Sequence, residues 1–341
     1  MKRLEFNFLP TMIGSLPHTD PVKACALVSR FLKDIPAWPQ LPNRSYKENM
    51  FNQFTEGLPG VVVTEEKTFI CQSDNFDKEL QKLYTAYLAN DSSGYSISDD
   101  YAIGLSCFLD KGSALKAVKG QVTGPISFGI TIKDEDGKGI IFNDILADAA
   151  AKLLKLKAAW QEAELSKLNK NTIIFVDDPA MAAYGSAYLP LSKGKAIALL
   201  EEVFSGIRGI KGAHCCGNTD WSILMATSVQ VLAFDAYNYS DSLTIYPDEV
   251  KSFIDRGNAI AWGIVPTDEK LIADETAYSL KDRLEETMAF FTRKGIDFNK
   301  LVRQGLLTPS CGITFASEDA AEHAFETLVK LSDIIRKRHL N

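Results

Sequence analysis

Several things are missing from this chain of 341 residues, and each absence removes a class of function. No apolar run reaches the ~18 residues that a membrane-spanning helix needs, so no membrane partner is expected. The opening stretch MKRLEFNFLPTMIG has basic residues but no apolar core of signal-peptide length, which reads as a cytoplasmic protein. Positive charge is in deficit: 37 Lys and Arg stand against 44 Asp and Glu, a formal net charge of −7. Nucleic acid is therefore not an expected partner, because binding to phosphate backbones needs basic surface. Neither phosphate-cradling pattern, G-x-x-x-x-G-K-[ST] nor G-x-G-x-x-G, occurs. The acidic run 133–139 resembles a calcium loop, but its glycine comes too early and the closing glutamate is missing. There is no internal repeat and no low-complexity tract.

What is present is a recurring unit: a short apolar run, then a helical pattern. Eight such runs stand out, at Thr11–Leu16, Gly60–Glu65, Ala117–Thr123, Thr172–Asp177, Gly209–Cys216, Val229–Asp235, Ala259–Ile264 and Gly305–Cys311. Most are rich in Val, Ile and Leu and bounded by Gly, Pro, Asp or Asn, as suits strands buried on both faces. Helical periodicity fills the gaps most clearly at Ile145–Leu168, Ser192–Val203, Leu280–Thr292 and Ala320–Arg338. Strands alternating with helices predict an α/β fold, a single (β/α)8 TIM barrel domain over 1–341, with helical insertions after strands 1 and 2. A doubly wound open sheet is the alternative. The proline-rich segment 35–42 falls in the first insertion and reads as a rigid packed loop, or as a docking platform at the mouth.

Barrel enzymes keep their chemistry at the C-terminal ends of strands. Reactive residue types fall there repeatedly: Gly14-Ser15, Glu65-Glu66, Asp177-Asp178, His214-Cys215-Cys216, Asp235 and Cys311. Side chains alternate along a strand, so His214 and Cys216 share a face and Cys215 takes the other. With Cys311 from the last strand they form a normal zinc set, and Asp235 on the neighbouring strand is the candidate fourth ligand. Six cysteines in a reducing compartment are more in keeping with metal or catalysis than with disulfides, although buried cysteines also serve as small core residues. Zinc between two thiolates keeps an incoming thiol deprotonated and suits thiol alkylation better than water activation. His18, just past the first strand, is a candidate proton donor. His323 and His339 read as surface residues of the last helix.

These residues resemble a known family. His214-x-Cys216 with Cys311-Gly312 is similar to the zinc-binding residues of the cobalamin-independent methionine synthase family, in its C-terminal catalytic barrel. Thr11-Met12-Ile13-Gly14-Ser15-Leu16-Pro17 resembles that family's first-strand signature, and Val176-Asp177-Asp178-Pro179-Ala180 its fourth-strand segment. The resemblance runs from residue 11 to about 314 through short motifs in the family's order. The run His214–Asn218 is also similar to relatives in the same superfamily, the uroporphyrinogen decarboxylases and the methylcobalamin:coenzyme M methyltransferases.

The resemblance implies that Ile13, Gly14 and Ser15 bind the carboxylate of homocysteine and that Asp177, with Glu65 or Glu66, holds its ammonium. It implies zinc on His214, Cys216 and Cys311, with Asp235 where the family has a glutamate. The second, folate-holding barrel of the full-length family is absent here. Short forms of this kind imply methylcobalamin or a methylated corrinoid protein as methyl donor. The alternatives are another thiol acceptor, a tetrapyrrole decarboxylase, or a non-catalytic corrinoid- or metal-binding protein. Asp177-Asp178 could also cap a helix, and Glu65-Glu66 could form a solvated turn.

Overall fold

The computed structural model describes residues 5–111 and 113–340. Its main sheet has seven parallel strands: β1 (Leu9–Pro10), β4 (Val118–Thr123), β5 (Thr172–Asp177), β6 (Ile210–Cys215), β7 (Val231–Phe234), β8 (Ala259–Val265) and β9 (Leu306–Pro309). They lie in the order β1-β9-β8-β7-β6-β5-β4, so the chain winds steadily round a curling sheet. The two remaining strands, β2 (Val61–Val63) and β3 (Thr68–Ile70), form a separate antiparallel hairpin.

That arrangement confirms the α/β barrel and corrects its second position. The run Gly60–Glu65 does not enter the barrel wall; its Val61–Val63 core pairs with Thr68–Ile70 instead. The gap between β1 and β4 is filled by the proline-rich segment 35–40, in parallel bridges between Ala37 and Lys119 and between Ser15 and Gln40. The Lys119 amide donates to the Pro36 carbonyl, and the Gln40 amide to the Gly14 carbonyl. Pro36 and Pro39 have no N–H to give, so this segment cannot make a full ladder and does not look like a strand in sequence.

Side chains make up what the ladder lacks. Trp38 Nε1 donates to Gln161 Oε1 at 3.0 Å, and Gln161 Nε2 donates to the Gln121 carbonyl at 2.9 Å. Gln121 Nε2 donates to the Trp38 carbonyl, Gln40 Nε2 to Gln53 Oε1, and Gln53 Nε2 to the Tyr101 carbonyl. Ile35, Ala37, Trp38 and Leu41 are fully buried, so the packed reading of 35–42 holds and the docking platform does not.

Alternation along the strands builds two cores. Outward residues such as Ile174, Val176, Leu232 and Phe234 join a large cluster with the surrounding helices. Inward residues, among them Leu9, Ile35, Ile173, Phe175, Val231 and Leu306, form a small cluster inside the barrel. A side chain on Gly212 would sit 1.9 Å from the Phe175 ring, so that glycine makes room for the ring inside the barrel. The helix Asp144–Leu165 packs across β4 and β5, and Glu318–His339 closes the other end against β1 and β9. Between β3 and β4 the chain adds the helices Phe76–Ala89 and Asp99–Lys111, the expected elaboration after the second barrel position. No described helix is long and apolar enough to cross a membrane.

Candidate functional site

β6 ends in His214-Cys215, with Cys216 directly after it. Its alternation works as the sequence implied. Cys215 faces the outer core and bonds the Gly217 carbonyl, while His214 and Cys216 are on the inner side with Cys311, which follows β9. The ligand atoms of His214, Cys216 and Cys311 all lie within 4.8 Å of one another. His214 is 3% exposed, and neither ring nitrogen has a hydrogen-bond partner. A buried imidazole with both nitrogens unpaired is costly unless something absent from the protein chain satisfies it. The Cys216 thiol is drawn down, chiefly by the Cys311 thiol beside it, against the effect of its own burial. Cys311 is pushed well up by the same neighbour. One nitrogen and two sulfurs, one readily ionised, fit a zinc site with a position left open.

Asp235 does not join that group. Its Oδ1 accepts from the Asn238 amide at 2.8 Å and its Oδ2 from Asn238 Nδ2 at 2.7 Å. The carboxylate caps its own turn, although it lies near enough to His214 and Cys216 to feel their charge. The residue expected as fourth ligand is thus hydrogen-bonded through each oxygen to Asn238 and lies outside the group of three.

Asp177, at the end of β5, sits opposite His214 in the strand register. It is 5% exposed and its Oδ1 has no hydrogen-bond partner. Burial raises its carboxyl to about 6, against the opposing charge of Lys119. The next residue, Asp178, is structural: it accepts from the Ile126 and Ser127 amides, at the start of the helix Pro125–Thr131. The expected cap on the following helix is not made by either aspartate: Pro179–Ala183 has no side-chain cap bond, and Asp178 serves the earlier helix instead.

The segment Ile13-Gly14-Ser15 is pressed between two neighbours. The Ile313 amide donates to the Ser15 carbonyl at 2.9 Å. On the other side Gly14 leaves no space, because a Cβ there would lie 2.4 Å from Gln40 Oε1. The carbonyls of Ile13, Gly14 and Ser15 are all engaged, by Lys119, Gln40 and Ile313. Among the described residues no hydrogen bond uses the N–H of Gly14 or Ser15. Both amides are free donors, while the Ser15 hydroxyl points to Gln40 Oε1 at 3.5 Å.

Two expectations end up elsewhere. Glu65 and Glu66 are exposed in the turn of the β2–β3 hairpin, outside the barrel sheet, which agrees with the solvated-turn reading. His18 is buried, with Nε2 3.9 Å from Glu318 and Nδ1 unpartnered. Burial lowers its pKa, so it is mainly neutral at pH 7, and the charges that act on it are Glu318, Lys23, Asp20 and Glu322, all from the flanking helices. It faces those helices rather than the metal group. His323 is exposed, as expected of a surface residue of the last helix, whereas His339 is half-buried, with its ring 4.8 Å from that of Phe298 and Nε2 3.0 Å from Glu285.

One site residue escaped sequence reading: Lys119, a lysine at an inward position of β4, whose ammonium reaches the Ile13 carbonyl at 2.6 Å. The signal was a charge inside the apolar run AVKGQVT.

No family model matches the chain, and no curated protein matches it. Solved structures do. One is a B12-independent methionine synthase from a Shewanella species in complex with selenomethionine, at 16% identity and a TM-score of 0.61, covering 98% of this chain and 99% of that one. Another is a putative vitamin-B12 independent methionine synthase from Listeria monocytogenes, at 13% identity and a TM-score of 0.54, covering 93% of this chain and 86% of that one. The barrel fold is shared along nearly the whole chain.

Proposed function

We propose that this protein is a zinc-dependent methyltransferase that moves a methyl group onto the thiol of homocysteine to form methionine. One observation carries the reading: the His214, Cys216 and Cys311 group, within 4.8 Å, lies beside free amides at Gly14 and Ser15 and an unpartnered oxygen on Asp177. An amino-acid thiol has three polar ends, and the site offers a complement to each. The selenomethionine in the Shewanella structure, a product-like ligand, supports the same reading.

Zinc, when bound, would be held by His214, Cys216 and Cys311 and would keep a thiol deprotonated and nucleophilic at neutral pH. The chain's own residues supply the rest. The Gly14 and Ser15 amides, with the Ser15 hydroxyl, donate to the carboxylate. Asp177, ionised above about pH 6, accepts the ammonium. Two fixed contacts at the amino-acid end leave the sulfur little freedom, and orientation of this kind accounts for a large share of rate enhancement in group transfer. Glu65, Glu66 and His18 take no part, and Asp235 supports the β7 turn from beside the site.

The donor is proposed to be methylcobalamin or a methylated corrinoid protein. The test incubates zinc-loaded protein and homocysteine with methylcobalamin or with methyltetrahydrofolate and measures methionine. Methionine from methylcobalamin supports both parts of the proposal. Methionine from the folate alone overturns the donor, and methionine from neither overturns the reaction.

A further inference from the structure

The interior of the barrel holds a buried cation. The Lys119 side chain is fully buried among the inward residues of β4 and β5, and its ammonium lies 4.3 Å from the centre of the Phe175 ring. It donates to the Ile13 carbonyl at 2.6 Å and to Gln121 Oε1 at 3.3 Å. Among the described residues no carboxylate lies within ion-pair distance of it. Burying an ammonium without a paired carboxylate is expensive, and an apolar side chain of similar size would serve a core better.

The position of that charge gives it a use. The Ile13–Gly14 peptide is trans and planar, so a carbonyl fixed on Lys119 turns the Gly14 N–H to the opposite side. That N–H is one of the two free donors. Gln40 holds the next carbonyl, Gly14, and Ile313 the one after, Ser15. Three successive carbonyls are thus tied back, and Lys119 is the only charged group among the three anchors. Its positive charge also lies next to the peptide that is to receive an anion.

We propose that Lys119 is a positioning residue for substrate: held on the Ile13 carbonyl, it sets the Gly14 and Ser15 amides to receive the carboxylate of an amino-acid thiol. The inference rests on the homocysteine reading above. It narrows the substrate class to thiols that carry a carboxylate, and it assigns the carboxylate end to Lys119 and the ammonium end to Asp177.

The experiment measures binding by calorimetry to zinc-loaded protein of three ligands: homocysteine, its decarboxylated aminothiol analogue, and its des-amino thiol acid. Wild type is compared with Lys119→Met, Lys119→Gln and Asp177→Asn, with zinc content and melting temperature as controls. Losing one charge-assisted contact predicts about 10- to 100-fold weaker binding of homocysteine and of the thiol acid in both Lys119 variants. The aminothiol, which has no carboxylate, is weakened several-fold less than either, the remaining loss coming from removal of the Lys119 charge that helps keep Asp177 ionised. Asp177→Asn gives the converse pattern, weakening homocysteine and the aminothiol. If the Lys119 variants weaken all three ligands alike, or if both lose zinc or fail to fold, the role is structural and the proposal is overturned. If wild type binds none of the three, the homocysteine reading fails and this inference goes with it. If wild type binds homocysteine and the Lys119 variants bind it equally well, only the inference fails.

Discussion

The Ile313 amide donates to the Ser15 carbonyl at 2.9 Å, which ties the loop carrying Cys311 to the loop that follows β1. Asn43 reinforces the tie, donating to both the Pro17 and Thr314 carbonyls. A side chain on Gly312 would meet Ser15 Cβ at 2.9 Å, so the two loops are in contact. A metal ligand from the last strand and an anion cradle from the first are therefore fixed to one another, and neither can move without the other.

The two adjacent cysteines at the end of β6 should separate cleanly. Cys216→Ala removes a ligand and should abolish stoichiometric zinc binding. Cys215→Ala touches only the outer core, so it should keep its zinc and lose about 1 kcal/mol or less, the cost of a small buried side chain. Metal content and thermal melts on both variants check this. Loss of zinc in Cys215→Ala would mean that the strand faces have been assigned the wrong way round.

Gly14→Ala should damage both stability and substrate binding. Its Cβ would lie 2.4 Å from Gln40 Oε1 and 2.9 Å from Gln121, so the amide side chains or the Gly14 backbone must shift. Overpacking of this kind costs about 1–3 kcal/mol. A displaced cradle should raise the homocysteine KM by at least about tenfold while zinc stays bound. A normal KM would place the carboxylate elsewhere.

Much of this site was legible because strand alternation is strict. His-x-Cys at a strand end must put both side chains on one face, and the inward run Ile173, Phe175, Asp177 follows from the same period of two. The second barrel position was not legible. Pro36 and Pro39 remove the ladder donors that mark a strand, and what holds the segment is a set of long-range bonds from Gln40, Gln121 and Gln161. Val61–Val63 carries a stronger β pattern than the true wall, which drew the second strand, and with it Glu65 and Glu66, to the wrong place. For Asp235, the hydrogen bonds from Asn238 to each of its oxygens carry no mark in the sequence.

Asp177 makes the reaction sensitive to acid. Burial raises its carboxyl to about 6, and only the ionised form can hold an ammonium. The homocysteine KM should fall as pH rises through about 6, and Asp177→Asn should have a higher, flatter KM profile. The sign for stability is the reverse. The folded carboxyl keeps its proton up to about 6 whereas an unfolded one loses it near 3.8, so this group favours the fold at low pH and ceases to as pH rises between those values. The metal-free Asp177→Asn protein should therefore lose less melting temperature than wild type between those two pH values. A steeper loss in the variant would contradict the assignment.

Gln161→Leu tests the side-chain bracing of the proline-rich wall. It leaves the Trp38 indole N–H and the Gln121 carbonyl without partners. Each buried orphan costs about 1–3 kcal/mol, so a loss of about 2–6 kcal/mol is expected by denaturant titration. An unchanged midpoint would mean that the wall is held by packing alone.

The most direct measurement is the zinc content of the purified protein, by elemental analysis, alongside Cys311→Ser. The account predicts one zinc for each chain in wild type and close to none in the variant, with both proteins folded. Folded wild type that takes up no zinc, or Cys311→Ser that keeps it in full, would contradict the metal centre on which the proposed chemistry depends.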